Sequence, residues 1–146
     1  AIDLLALAVE ESARAGAEFE LADGVDSLLV PGVAKLMRRL VRNLLENARR
    51  YGGSTGAAGI TVIVAREGGN AVLRVCDRGP GVPPDQRERI FEPFYRLPGA
   101  SEREGGVGLG LALVKSIAER HGGSVRCEGR EGGGACFTVR LPGASA

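Results

Sequence analysis

The sequence predicts an α+β fold, a mixed and mostly antiparallel sheet of about five strands with about three helices layered on one face. Segments 31–51 and 108–121 repeat apolar residues at the three- and four-residue spacing of helices buried along one side. Two pairs of β-branched runs, 60–66 with 70–77 and 124–128 with 135–141, are each joined by glycines, the signature of hairpins. The 23 glycines cluster between apolar segments and punctuate them, as in a folded chain rather than a disordered one.

Taken in order, Ile2 to Ala15 carries Leu4, Leu5, Ala8 and Val9 at helical spacing, with Asp3 placed to cap. Glu18-Phe19-Glu20-Leu21 alternates as a strand, and Ser27 to Val30 forms a second short apolar run. Pro31 suits the first turn of a helix reaching about Tyr51. There Val33, Leu36, Leu40, Leu44 and Ala48 form one stripe, and Gly52-Gly53 ends it. Ile60–Arg66 and Asn70–Asp77 pair through Gly68-Gly69. Pro83-Pro84-Asp85 opens a short helix ending near Phe91. Residues 97–107 lack periodicity and read as a mobile loop. Gly108 to His121 is the next long helix, stopped by Gly122-Gly123, and the last two runs close the chain as a hairpin.

The 146 residues are expected to form one domain, 1–146, large enough to bury a core. A net charge of +1 gives no electrostatic support for nucleic-acid binding or direct membrane contact. No apolar run approaches the roughly 20 residues that cross a bilayer. The chain opens on Ala1, without methionine or signal peptide, and is expected to be a soluble piece of a longer protein. Cys76, Cys127 and Cys136 lack CxxC spacing and share the chain with a single histidine, which argues against structural zinc. Cys127 and Cys136 could meet across a hairpin; a reduced thiol pair is the expectation.

Asn43, Glu46, Asn47 and Arg50 fall at i, i+3, i+4 and i+7 and make a polar stripe beside the apolar one. A solvated face explains such a stripe, but two amides can also ligate a hard cation. Mg²⁺ takes one or two side chains and completes its octahedron with water and phosphate oxygens. Asp77 ends an apolar strand and enters Arg78-Gly79-Pro80-Gly81. Beyond the role of a turn aspartate, a fixed carboxylate there accepts a hydrogen bond from the 6-amino group of adenine and repels the carbonyl of guanine. Gly79 and Gly81 let backbone approach a base. The run Gly105-Gly106-Val107-Gly108-Leu109-Gly110 leads directly into a helix, whose free N–H groups suit a polyphosphate. Neither GxxxxGK[ST] nor GxGxxG occurs.

These motifs resemble the ATP-binding catalytic domain of two-component sensor histidine kinases. Asn43 to Tyr51 is similar to its N box, Asp77 to Gly81 to its first glycine box, and Phe91-Glu92-Pro93-Phe94-Tyr95-Arg96 to its F box. Gly106 to Gly110 is similar to the second glycine box, and the match covers nearly the whole chain. The superfamily includes type II topoisomerases, Hsp90-type chaperones and mismatch-repair ATPases. The resemblance implies an α/β sandwich holding ATP under a flexible lid, here about Leu97 to Val107. It implies Asn47 as principal Mg²⁺ ligand with Asn43 beside it, and Glu46 as the acid that orients or deprotonates the attacking group. Arg50 would face the phosphates, making Glu46, Asn43 and Arg50 the catalytic set. Tyr51 would stack near adenine, with Asp77, Gly79, Gly81 and Val82 around the base. Gly106, Val107, Gly108, Leu109 and Gly110 would line the phosphates, and Arg96 would reach the terminal one. Arg78, Val107 and Ala135 depart from residues frequent in the family (Asn, Thr or Ser, and Thr); the last two remove hydroxyl contacts.

The resemblance further implies a γ-phosphoryl donor to a histidine in a separate dimerisation domain, and thence to a response regulator. The parent would be a membrane sensor with this domain in the cytoplasm, monomeric when isolated. His121 lacks the acidic residue and proline that follow a phosphoacceptor and reads as structural, so this chain alone is not expected to phosphorylate itself. The alternatives are a serine-directed kinase of the anti-sigma-factor type, an ATPase clamp module, or a degenerate domain that only binds a partner.

Overall fold

The computed structural model describes residues 1–22, 24–51, 59–95 and 109–145. Strand β1 (Ile2–Asp3) runs into helix α1 (Leu4–Ala15), and β2 (Glu18–Leu21), β3 (Leu29–Val30) and α2 (Ala34–Tyr51) follow. The hairpin of β4 (Thr61–Glu67) and β5 (Asn70–Cys76) comes next, then α3 (Gly110–Arg120) and the hairpin of β6 (Ser124–Gly129) and β7 (Ala135–Pro142). One sheet has the order β2-β4-β5-β7-β6, antiparallel throughout except for the parallel β2–β4 pair; β1 and β3 make a separate antiparallel pair. This is the α+β architecture expected from the sequence.

Alternation along the strands decides what the sheet covers. Val62 and Val64, Leu73 and Val75, and Phe137, Val139 and Leu141 point to one face and share a core with the helices. From α2 that core takes Met37, Leu40, Val41, Leu44, Leu45 and Ala48. Each fully buried large side chain among them is worth about 1.5–3 kcal/mol, which holds a helix otherwise rich in arginine against the sheet. Of the predicted stripe Leu40, Leu44 and Ala48 are buried and Leu36 packs partly buried against the core, whereas Val33 is exposed and precedes the helix. Pro31 also lies outside α2, which begins at Ala34.

Local chemistry sets the helix ends. The Asp3 carboxylate caps α1 by accepting from the Ala6 N–H at 3.0 Å, and Gly16 ends it with φ 73°. The α1 segment was expected from residue 2; its first two residues instead pair with β3. The predicted helix near Phe91 is two 3₁₀ turns, Pro84–Gln86 and Arg89–Phe91. The expected end of α2 at Gly52-Gly53 and the expected loop at 97–107 fall outside the described residues.

At the N-terminus of α2 the single histidine acts as a staple. His121 Nε2 accepts from the Val33 N–H at 3.1 Å, which leaves the proton on Nδ1 to donate to the Ile117 carbonyl at 2.7 Å. Gly32 has to be glycine for this contact: its φ is 152°, and a Cβ would stand 2.2 Å from His121 Cδ2.

The cysteines correct the sequence reading. Cys76 and Cys136 form a disulfide, and Cys127 is the free, buried thiol. Cys127 lies opposite Phe137 in the β6–β7 register, on the helix-covered face, whereas Cys136 lies opposite Glu128 on the other. Sequence proximity across the last hairpin was misleading because neighbouring pairs in a ladder point to opposite faces. Burial pushes the Cys127 thiol up to about 11, against the nearby charge of Arg87, so it stays protonated at neutral pH.

Candidate functional site

The strand β5 delivers Asp77 at its end, and the backbone fixes what the carboxylate can do. Asp77 is 3% exposed. Its Oδ1 accepts from the Gly79 N–H at 2.9 Å and from the Ala135 N–H at 3.3 Å. Oδ2 has no protein partner among the described residues and is not sealed from solvent. One oxygen is thus used to hold the side chain still and the other is left to accept a hydrogen bond from a ligand. Burial raises the Asp77 pKa, while the two backbone N–H groups and the charge of Arg130 act against it.

A cavity of about 70 Å³ opens beside this carboxylate, lined by Asn47, Tyr51, Asp77, Pro80, Gly81, Val82, Ala135 and Phe137. Asn47 and Tyr51 stand one turn apart on α2. The floor depends on two close backbone approaches. A Cβ on Gly134 would stand 2.0 Å from the Asp77 carbonyl oxygen, and one on Gly81 would stand 3.0 Å from the Gly134 carbonyl oxygen. Both glycines have positive φ, 106° and 77°. Phe137 is steadied by an edge-on contact with Phe91, ring centroids 6.1 Å apart.

The polar stripe of α2 divides between two depressions. Asn47 faces the cavity beside Asp77. Asn43 and Glu46 line a neighbouring hollow of about 430 Å³ with Glu11, Arg14, Arg42 and Arg49. Glu46 is hydrogen-bonded by Arg49 and has Arg50 Nε at 3.7 Å; the Arg49 bond, more than any other contact, draws its pKa down. Arg50 is exposed at the edge of this group. Leu109 and Gly110 begin α3, exposed. Arg96, Gly106, Val107 and Gly108 lie outside the described residues.

Sequence reading passed over Pro80 and Phe137, which line the cavity, and Gly134, whose backbone packs against that of Asp77. It also passed over Arg130, which donates to the Gly59 carbonyl at 2.9 Å and to Thr61 Oγ1 at 3.0 Å. The run of glycines at 132–134 was the available signal, because positive φ at successive positions marks backbone made to approach something closely.

A carboxylate with one free oxygen, an amide and a tyrosine on one helix, and close glycine backbone thus converge on one cavity of an α+β sandwich. The chain belongs to the histidine kinase-, DNA gyrase B-, and HSP90-like ATPase family, whose model matches residues 32–145. Membership of this family implies ATP use. Sensor protein RstB of Escherichia coli (strain K12) is 48% identical over 109 residues, which cover 74% of this chain and 24% of that protein. Among solved structures, the mycobacterial sensor histidine kinase MprB superposes with a TM-score of 0.79 at 30% identity, covering 97% of this chain and 95% of that one. The ATP-binding domain of PrrB from Mycobacterium tuberculosis gives 0.77 at 28% identity, covering 99% and 96%. The chain spans about a quarter of the length of the curated relative RstB.

Proposed function

We propose that this chain is the catalytic domain, spanning 1–146, of a sensor histidine kinase. It binds Mg²⁺–ATP and donates the γ-phosphoryl group to a histidine on a separate dimerisation domain, from which a response regulator takes it. The observation that carries this reading is the divided carboxylate of Asp77, one oxygen anchored to backbone and one presented to the cavity. An adenine amino group donates to that free oxygen; a guanine carbonyl is repelled by it.

Asn47, with Asn43 one turn away, would hold Mg²⁺ through neutral amide oxygens. The ion would neutralise charge on the phosphates of a transferring group that needs positioning more than covalent help. Glu46, held ionised by Arg49, is suited to orient the acceptor imidazole through a hydrogen bond more than to remove its proton. Arg50 would face the phosphates, and Tyr51, Gly79, Gly81 and Val82 would surround the base. Arg96 and the run Gly106, Val107, Gly108, Leu109 and Gly110, matched to the family's motifs by sequence, would serve the phosphates. Phe94 supports a docking role for the F box: it is 67% exposed and held at φ 65°, unusual for a non-glycine residue. No helix among the described residues is long and apolar enough to cross a membrane, which suits a cytoplasmic unit of a membrane sensor.

Both imidazole nitrogens of His121 are engaged within the fold, so it does not serve as the acceptor. Calorimetry tests the proposal: ATP should bind more tightly with Mg²⁺ than without, and Asn47→Ala should remove that gain. Radiolabelled ATP should leave the isolated domain unlabelled, and in the parent protein the label should appear on the dimerisation domain. An Asn47→Ala protein with the full magnesium dependence, or label on His121, overturns the assignment.

A further inference from the structure

Cys76 ends β5 and Cys136 lies one residue into β7; they are register partners with Cα atoms 4.0 Å apart and sulfurs bonded. Antiparallel ladders alternate wide, hydrogen-bonded pairs with narrow pairs whose side chains lie closer. The next pair out, Asp77 opposite Ala135, is a hydrogen-bonded one, with the Asp77 N–H donating to the Ala135 carbonyl at 2.8 Å. The cysteines therefore occupy a narrow position, directly beside the residues that build the floor of the adenine cavity. Cys76 is buried, whereas Cys136 is partly exposed on the sheet face away from the helices. Cys127 points into the helix-covered core and cannot reach either sulfur to reshuffle the bond.

We propose that Cys76 and Cys136 form a reversible dithiol–disulfide modification site, entered by small thiols through the sulfur of Cys136, whose redox state sets the grip of the adenine cavity. The coupling to nucleotide rests on the function proposed above; the modification itself does not. In reduction, the thiolate of a low-molecular-weight thiol attacks Cys136 Sγ, and Cys76 leaves as a thiolate that takes up a proton. A second small thiolate attacks the mixed disulfide on the small-molecule sulfur, forms a small disulfide and releases Cys136, which is protonated in turn. Oxidation is the reverse sequence, with a small disulfide as oxidant.

The bond ties β5 to β7 one residue from Asp77 on one side and from Ala135 on the other. When it opens, two sulfurs that shared a bond must separate at the narrowest kind of pair in the ladder. The long Ala135 N–H to Asp77 Oδ1 contact, 3.3 Å, is the nearest one that yields. Losing that restraint weakens ATP binding by about fivefold, the effect of one net hydrogen bond.

The experiment equilibrates the domain with oxidised glutathione or with dithiothreitol, counts free thiols by alkylation under denaturing conditions, and measures Mg²⁺–ATP affinity by calorimetry. The oxidised protein should show one free thiol, that of Cys127, and the reduced protein three. Affinity should fall about fivefold on reduction and return on reoxidation. Cys127→Ala should keep this response, and Cys76→Ser should abolish it at the affinity of the reduced form. The wild-type redox comparison stands alone if Cys76→Ser does not fold. Three free thiols after oxidised glutathione overturn the modification site, and equal affinities in the two states overturn its coupling to the cavity. A switching thiol count in a protein that binds no ATP in either state upholds the modification site and sinks the nucleotide function instead.

Discussion

Asp77 and Ala135 hold one another by hydrogen bonds in opposite senses. The Asp77 N–H donates to the Ala135 carbonyl at 2.8 Å, and the Ala135 N–H donates to the Asp77 carboxylate at 3.3 Å. The second bond comes from backbone, so it survives the absence of a hydroxyl at position 135. It also makes the orientation of this carboxylate a property of strand pairing.

Exchanging Asp77 for Asn tests base selectivity. An asparagine can keep its carbonyl oxygen on the Gly79 and Ala135 N–H groups, which turns its amide N–H toward the base. ATP affinity should fall about tenfold to a hundredfold, and the preference over GTP should collapse. Competition calorimetry reads both; an unchanged ATP-to-GTP ratio counts against adenine recognition by this residue.

Acidity should act on the same group in two directions. Burial raises the folded pKa of Asp77 above its ordinary value. Its contribution to folding stability is therefore full below the ordinary carboxylate value and declines as pH rises through the raised one. Under the proposed function nucleotide binding should run the other way, because the adenine amino group would need the ionised oxygen. Affinity should weaken as pH falls from neutrality through the raised pKa, Arg130→Gln should move that midpoint upward, and Asp77→Asn should flatten the profile. A midpoint unmoved by Arg130→Gln removes Arg130 from the electrostatics of the pocket.

Two neighbouring glycines separate strain from collision. Gly133 and Gly134 share a positive φ, 110° and 106°, but only at Gly134 does a Cβ strike the Asp77 backbone. Gly133→Ala should cost about 1–3 kcal/mol and leave ATP affinity unchanged. Gly134→Ala should add roughly 1–3 kcal/mol of overpacking and abolish tight ATP binding. Urea midpoints and calorimetry measure the pair; equal behaviour of the two variants would show that the close approach is unimportant.

A buried acid outside the cavity beside Asp77 should matter for stability more than for base recognition. Glu11 on α1 is 3% exposed and receives Arg38 Nη1 and Arg42 Nε from α2, each at 2.6 Å. Desolvation raises its pKa, but the two arginines outweigh that and the net direction is down. Its stabilisation is thus present above the ordinary glutamate value and lost as pH falls through the lowered one. Because both arginines keep about half their hydration, Glu11→Gln should cost about 1–3 kcal/mol, less than for a fully buried pair. The variant should lose the acid-dependent part of its melting curve and keep the preference for ATP over GTP, because Glu11 does not line the cavity beside Asp77.

Much was written in the chain itself. Apolar period, hairpin glycines and Asp3 as a cap decided the α+β class and nearly every element, because these are local consequences of side-chain spacing and backbone freedom. Asp77 beside glycines likewise announced a fixed carboxylate. Tertiary structure decided which residues face one another. Cys76 meets Cys136 across a register that spans 60 residues, while Cys127, nearer in sequence, points into the core. The stripe on α2 is split by the helix's rotation against the sheet, sending Asn47 to one hollow and Glu46 to another. The staple of His121 on Val33 and the burial of Glu11 arise only when helices distant in sequence pack. Spacing tells which side chains share a face; the partner of that face is set by the packing of the whole core.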